Sequence, residues 1–193
     1  MYEHNRITIG DYEIRILQDE YAESPRESWD NLGKMLCCKH SNYNLGDKHN
    51  YPFDLHDSWE EMEEALKKTE NACVVLPLYI YDHSGITMKT TPFSCQWDSG
   101  RVGVIYAKKE DVYKEYGVKR ITKDLIDKVA TVLVGEVETY DQYLRGDVYQ
   151  YEIYKQGELV DSCSGFYGED YCLEEATSIV EYHTKKEESS VPS

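Results

Sequence analysis

The stretch from Cys73 to Ala107 constrains the fold of this chain more than any other. It contains two apolar runs rich in β-branched and aromatic residues, Val74–Tyr81 and Val102–Ala107, which favour strands. A polar, glycine-punctuated connection lies between them, and such connections lie at the surface. Its chemically distinctive residues are Asp82, His83, Trp97 and Asp98. We therefore predict a central sheet with an ordered, exposed loop at one end.

Further strands are predicted on both sides of this stretch. Asp11–Gln18 alternates apolar and polar residues, as a half-buried strand does, and Lys34–Lys39 is a short apolar run. Val148–Lys155 and Glu158–Gly165 flank Gln156–Gly157, where glycine favours a tight left-handed turn. This last pattern predicts a β-hairpin.

Helices are indicated by capping residues and by a 3.6-residue apolar period. Ser58 and Glu61 form a capping box, in which hydroxyl and carboxylate each accept from a backbone N–H of the first turn. The stripe of apolar residues that follows, with glutamates on the other side, predicts a surface helix with an acidic outer face. The remaining helices are predicted over Lys108–Tyr116, over Lys123–Leu144 after an N-cap at Thr122, and over about Asp170–Thr184.

These elements predict an α+β fold with a mixed or antiparallel central sheet and about three to four helices packed on it. The chain has 193 residues, enough for one substantial core, and no Pro-, Gly- or Ser-rich linker divides it. We expect a single domain over residues 1–184. Residues 185–193 are polar and charged, so a disordered tail is expected there.

Charge narrows the range of functions. Lys and Arg number 21 against 37 Asp and Glu, a formal net charge of −16. Such a field repels phosphate, so it disfavours direct binding to DNA, RNA or anionic lipid and favours a basic protein partner. The plain alternative is an acidic protein whose charge serves solubility alone. The oligomeric state is open, and a homodimer is one alternative.

The cellular environment is inferred from cysteines and hydropathy. Six cysteines at irregular spacings do not form a disulfide framework, so reduced thiols are expected. No apolar leader core follows Met1, and no run approaches the roughly 18 apolar residues of a membrane span. We expect a cytoplasmic protein without a membrane partner.

Three acidic clusters provide the sharpest functional hypothesis. Carboxylates held along rigid helices can imitate duplex phosphates and occupy a basic groove, although a solvated helix face is the alternative for each cluster. The clusters are Glu60, Glu61, Glu63 and Glu64; Glu136, Glu138, Asp141 and Asp147; and Glu169, Asp170, Glu174 and Glu175. The residues predicted to bind a partner are Glu60, Glu61, Glu63, Glu64, Glu136, Glu138 and Asp141, together with Trp97 and His83 as anchors.

A metalloprotein or a cysteine/histidine enzyme is the alternative hypothesis. Zinc prefers four nitrogen or sulfur ligands, and candidates lie close together in the chain, although their spacing matches no standard zinc pattern. They are Cys37, Cys38, His40, Asp47 and His49. Cys95 with His83 is a conceivable nucleophile and base. We assign no catalytic residue, metal ligand or cofactor from the sequence.

Several phrases of the sequence resemble those of one family. They are DNLG at Asp30–Gly33, YNLGD at Tyr43–Asp47, LYIYDHSG at Leu78–Gly85, PFSCQWDSG at Pro92–Gly100 and GEVETYDQYL at Gly135–Leu144. Together they are similar to small acidic proteins of phages and mobile elements of gut bacteria, among them anti-CRISPR inhibitors of the single-effector, DNA-cutting CRISPR nuclease. The resemblance covers roughly Asp30 to Gly168 and transfers no functional residue. It implies an inhibitor in the cytoplasm of a bacterial host that blocks the nuclease from reaching or cleaving DNA.

Overall fold

The computed structural model describes residues 2–40, 43–95 and 97–190. Residue 1, two loop residues (41–42), Gln96 of the central connection and residues 191–193 of the predicted tail lie outside the described residues. Within the described part, eight strands form two antiparallel four-stranded sheets, and five helices accompany them. The predicted α+β class is confirmed, with the strands divided between two sheets.

The elements are as follows in chain order. The strands are β1 (Glu3–Ile9), β2 (Tyr12–Gln18), β3 (Lys34–Cys37), β4 (Ala72–Asp82), β5 (Ile86–Lys89), β6 (Ser99–Lys108), β7 (Val148–Lys155) and β8 (Glu158–Tyr167). The helices are α1 (Pro25–Ser28), α2 (Trp59–Thr69), α3 (Lys109–Tyr116), α4 (Lys123–Leu144) and α5 (Glu169–Ser190). A short 3₁₀ helix covers Phe53–Leu55.

The chain divides into two compact units. The terminal unit comprises Met1–Glu23 and Arg145–Ser193, and the central unit comprises Ser24–Leu144. The terminal unit holds the sheet β1-β2-β7-β8 with α5, and the central unit holds the sheet β3-β6-β4-β5 with α1 to α4.

The predicted central stretch forms the middle of the central sheet. β4 pairs with β6 from Ala72↔Lys108 to Tyr81↔Ser99, and β5 arises within the connection between them. One face of this sheet packs against α4, and the other packs against α2. The buried side chains on the α4 side include Leu78, Ile105, Val129, Leu133 and Val137, and those on the α2 side include Leu36, Met62, Leu66, Val104 and Tyr106.

The terminal sheet is covered on one face by α5. Ile14, Ile16 and Ile153 are fully buried there against the helix. The helix contributes the small or branched side chains Cys172, Ala176 and Val180. At the tip of the predicted hairpin, Gln156 and Gly157 have φ angles of 50° and 87°, so both turn residues are left-handed.

The last helix extends beyond its predicted end. α5 continues to Ser190 rather than stopping near Thr184, so residues 185–190 are helical where a disordered tail was expected. The carboxylate of Glu187 explains part of this extension. It accepts a hydrogen bond from the Tyr12 hydroxyl at 2.8 Å and pairs with the Lys155 ammonium, which ties the end of α5 to β2 and β7.

Candidate protein-binding surfaces

The four carboxylates at the start of α2 are largely engaged within the chain. The Ser58 hydroxyl accepts from the Glu61 N–H at 3.2 Å, as the capping box predicts, but the Glu61 carboxylate accepts from the Asp57 N–H at 2.8 Å. Glu63 pairs with Arg101 at 2.5 Å, and Glu64 pairs with Lys67 at 2.8 Å. Among these four side chains, only Glu60 has no bonded partner in the described part of the chain.

The carboxylates of α4 have mainly internal roles. Glu136 accepts hydrogen bonds from the backbone N–H groups of Leu32 and Gly33, at 2.8 and 3.1 Å. Asp141 accepts from the Thr87 hydroxyl at 2.6 Å and from the Met88 N–H at 2.7 Å, which ties α4 to β5. Both carboxylates therefore hold the central unit together. Of the three predicted α4 residues, only Glu138 is exposed.

Arg26 is the countercharge for this internal acidic site. Its side chain is only 2 % exposed, and it donates to Asp47 at 2.7 Å, to Glu136 at 2.9 Å and to the Gly33 carbonyl at 2.6 Å. Burial acts to lower the pKa of Arg26, but the bonds and charges of Asp47 and Glu136 outweigh burial and raise it. The guanidinium thus stays charged. Sequence reasoning missed this residue because its partners lie 21 and 110 positions away.

The candidate metal ligands are engaged in other contacts. The His49 Nδ1 accepts from the Tyr51 N–H at 3.1 Å, so the proton lies on Nε2, which donates to the Cys37 carbonyl at 3.0 Å. Burial raises the pKa of Cys37 to about 12 and also raises that of Cys38, which keeps both as thiols. Residues 2–40, 43–95 and 97–190 contain no group of three or more His, Cys, Asp or Glu suited to a metal ion.

The two predicted anchors, His83 and Trp97, lie at the same end of the central sheet. Trp97 is 95 % exposed, and it lines a groove of about 410 Å³ that also contains Asp82, Asp98 and His40. The Asp82 N–H donates to the Asp98 carbonyl at 2.8 Å. Each aspartate faces a histidine in an ion-pair geometry: His40 Nε2 is 3.0 Å from Asp82 Oδ2, and His83 Nδ1 is 3.4 Å from Asp98 Oδ2.

The terminal unit carries most of the net charge. It contains 17 acidic and 6 basic residues, a net −11, whereas the central unit contains 20 and 15, a net −5. On α5, Glu169 bonds to Asn5 and His4 at 2.9 and 3.0 Å. Over residues 170–185, seven exposed residues lie on the side of the helix opposite Cys172, and we call this surface the α5 outer face. It consists of Asp170, Tyr171, Glu174, Ser178, Glu181, Tyr182 and Lys185, and the Lys185 ammonium lies 3.8 Å from the Glu181 carboxylate.

The chain was compared with protein-family models, curated proteins and solved structures. No protein-family model, curated protein or solved structure matches the chain. Among the described residues, no helix combines the length and apolarity that crossing a membrane requires.

Proposed function

We propose that this chain is a non-enzymatic, acidic inhibitor of a host nucleic-acid-dependent defence nuclease, of the anti-CRISPR kind. In this proposal the α5 outer face enters the basic groove that otherwise holds nucleic acid. The observation that carries it is the arrangement of this face: three exposed carboxylates, one of them paired with Lys185, and two exposed tyrosines on one helix, in a unit of net charge −11.

The spacing of the carboxylates supports charge mimicry. At 1.5 Å per residue, Asp170 and Glu174 are about 6 Å apart along the helix axis, and Glu181 lies about 10 Å further on. The three therefore span about five phosphate steps of one DNA strand. Tyr171 and Tyr182 are 58 % and 61 % exposed on the same face. Tyrosine is enriched in protein interfaces, so these rings supply contact area beside the charge.

The choice of α5 follows from the net charge of its unit and from the engagement of most carboxylates in the other clusters. On α5 itself Glu181 pairs with Lys185 at 3.8 Å, whereas Asp170 and Glu174 have no bonded partner in the described part of the chain. Glu136 and Asp141 are bonded inside the central unit, and Glu61, Glu63 and Glu64 have partners on or beside α2. A carboxylate that already accepts internal hydrogen bonds has less to offer a basic groove. The resemblance of the Asp30 to Gly168 phrases to anti-CRISPR inhibitors supports the class of target.

No specific observation favours the enzyme or metalloprotein alternative. The Cys37 and Cys38 thiols are held in the protonated form, and both nitrogens of His49 bond to the backbone.

The direct test is a cleavage assay with a panel of purified single-effector, DNA-cutting CRISPR nucleases, each loaded with guide RNA. The protein is expected to abolish cleavage of matched DNA by at least one of them near equimolar ratio. Bound inhibitor and bound DNA should exclude each other in a gel-shift assay. Full cleavage across the panel would refute the inhibitor. If the protein inhibits cleavage while the nuclease still binds DNA and inhibitor together, mimicry of nucleic acid is refuted.

A matched pair of variants locates the surface. The α5 variant replaces Asp170, Glu174 and Glu181 by Asn, Gln and Gln, and is expected to raise the inhibitory concentration at least about tenfold. The control variant replaces the exposed Glu60, Glu64 and Glu138 by Gln, which changes the net charge equally. It is expected to inhibit like the unmodified protein. If the control variant loses inhibition and the α5 variant does not, the binding surface lies on the central unit.

A further inference from the structure

Two aspartates face each other at the end of the central sheet. The register of β4 and β6 places Tyr81 opposite Ser99, so Asp82 lies opposite Asp98, and their backbones are bonded at 2.8 Å. Opposed residues of antiparallel strands have Cβ atoms about 5 Å apart, and like charges at such positions repel. Both side chains line the same groove. This arrangement is unfavourable unless a cation relieves it.

Lys39 and Arg101 also line this groove, but Arg101 is held by Glu63 and the Trp59 ring, and among the described residues no Lys or Arg lies within ion-pair distance of either aspartate. The ion-pair partners there are His40 for Asp82 and His83 for Asp98, and each contact uses the Oδ2 atom. The Oδ1 atom of each aspartate has no bonded partner in the described part of the chain. Two acceptor oxygens therefore remain available to a cation in the groove.

Trp97 adds an aromatic surface to the same groove. The ring is 95 % exposed, which is unusual for a large apolar side chain, and it neighbours Asp98 in the chain. Gly100 also lines the groove, and a Cβ built there would meet nothing within 4 Å. The groove therefore offers one indole face and two carboxylates with room for a planar group.

We propose that Trp97, Asp82 and Asp98 form a receptor for an arginine side chain of the protein partner. A guanidinium is planar, carries five donors that fit two carboxylates, and stacks on indole more readily than an ammonium does. The chain already holds one arginine this way: Arg101 lies 4.7 Å from the ring centre of Trp59 and pairs with Glu63. The site rests on the proposed function only for the partner's identity, since its chemistry is independent of any nuclease.

A small probe tests the site without a nuclease. Titration with N-acetyl-arginine amide, followed by the indole N–H signal of Trp97 in NMR spectra, is expected to give saturable binding at low ionic strength. The neutral isostere N-acetyl-citrulline amide should bind at least about tenfold more weakly. Equal binding of the two amides, or no shift of the Trp97 signal, would overturn the receptor.

Variants separate this site from the α5 outer face. Trp97→Leu, Asp98→Asn and the groove-filling Gly100→Leu should each weaken arginine-amide binding at least about fivefold. Glu60→Gln, an equal charge change elsewhere, should not weaken it.

Loss of amide binding in Asp98→Asn with unchanged nuclease inhibition would overturn partner recognition here while leaving the inhibitor intact. Amide binding without inhibition of any nuclease would instead reject the proposed function. A dimer that the arginine amide dissociates would overturn partner recognition by showing a second copy as the occupant.

Discussion

Arg26 shows how much of the central unit depends on one side chain. Its guanidinium is buried and bonds to Asp47, Glu136 and the Gly33 carbonyl. Through Glu136 the network also reaches the N–H groups that precede β3. A guanidinium withdrawn from water with these partners favours this arrangement of the loop, because another arrangement leaves a partly buried carboxylate without its countercharge.

Replacing Arg26 by Ala is expected to lower the free energy of unfolding by about 3 kcal/mol, because the partly buried carboxylates of Asp47 and Glu136 then lose their countercharge. Urea denaturation followed by circular dichroism would measure the change. Arg120→Ala is the matched control, since Arg120 is exposed and should change stability by less than about 0.5 kcal/mol. Similar values for the two variants would contradict the role of the network.

A second residue whose role depends on its surroundings is Gly103. It lies in β6 between Cys37 of β3 and Leu78 of β4, and a Cβ there would come within 2.0 Å of the Leu36 carbonyl oxygen. Gly103→Ala is therefore expected to cost at least about 2 kcal/mol of stability, measured by the same denaturation. Gly100→Ala, three residues earlier in an open position, is the control and should be tolerated. If the Gly103→Ala and Gly100→Ala variants are equally stable, β3 shifts to accept the added methyl group and the account is contradicted.

Such partners are not available from the sequence. Nothing in a local pattern pairs Arg26 with a carboxylate 110 positions away, or identifies Gly103 as a crowded position among the glycines of the chain. The sequence also does not reveal which carboxylates are exposed to solvent. Glu136 and Glu138 both belong to an acidic helix segment, yet one is an internal acceptor and the other faces solvent.

At the scale of elements, helices with local end signals were predictable. Ser58 and Thr122 both accept a hydrogen bond from the residue three positions on, and Gly117 ends α3 with a left-handed φ of 62°. The bounds of α4 agree with the prediction from Lys123 to Leu144. β1 was not predicted, since it is a polar edge strand without a clear apolar alternation. β5 was missed because it has only four residues within a polar connection.

The turn of the β7–β8 hairpin allows a stabilising substitution. Gln156 adopts a φ of 50°, which asparagine tolerates better than glutamine, and Asn-Gly is the preferred pair for such turns. Gln156→Asn is expected to stabilise the terminal unit by about 0.5 kcal/mol, seen as a higher midpoint of thermal unfolding. Gly157→Ala should act in the opposite direction, because Gly157 has a φ of 87°. A loss of stability in Gln156→Asn would contradict this account of the turn.

The end of α5 is expected to respond to acid. Hydrogen bonds from Lys155 and then Tyr12 lower the pKa of Glu187 below its ordinary value of 4.5. A lowered folded-state pKa means that these contacts stabilise the last turns above pH 4.5 and are lost as the pH falls through the lowered value. Carbon-13 Cα chemical shifts of residues 185–187 should therefore lose helical character in acid. Glu187→Gln should show reduced helicity at neutral pH and a smaller acid response. An unchanged response in Glu187→Gln would assign the acid transition to other groups.

At the scale of the whole molecule, the separation into two units is not visible in the composition. The terminal unit is built from both ends of the chain, so no linker rich in Pro, Gly or Ser marks its boundaries. The distribution of charge follows this division, with a net −11 in the terminal unit and −5 in the central unit. Of the predicted anchors, His83 faces Asp98, the chain neighbour of Trp97, whereas the predicted acidic residues of α2 and α4 are mostly engaged within the chain.

The central claim is that α5 carries the electrostatic part of nuclease binding. Affinity for the inhibited nuclease, measured by calorimetry between 50 and 300 mM NaCl, tests it most directly. The unmodified protein is expected to lose at least about tenfold in affinity over this range, because salt screens attraction between exposed charges. The α5 variant should bind more weakly and show a shallower salt dependence, whereas the control variant should match the unmodified protein. Binding that is insensitive to salt, or an equal loss in both variants, would contradict the claim.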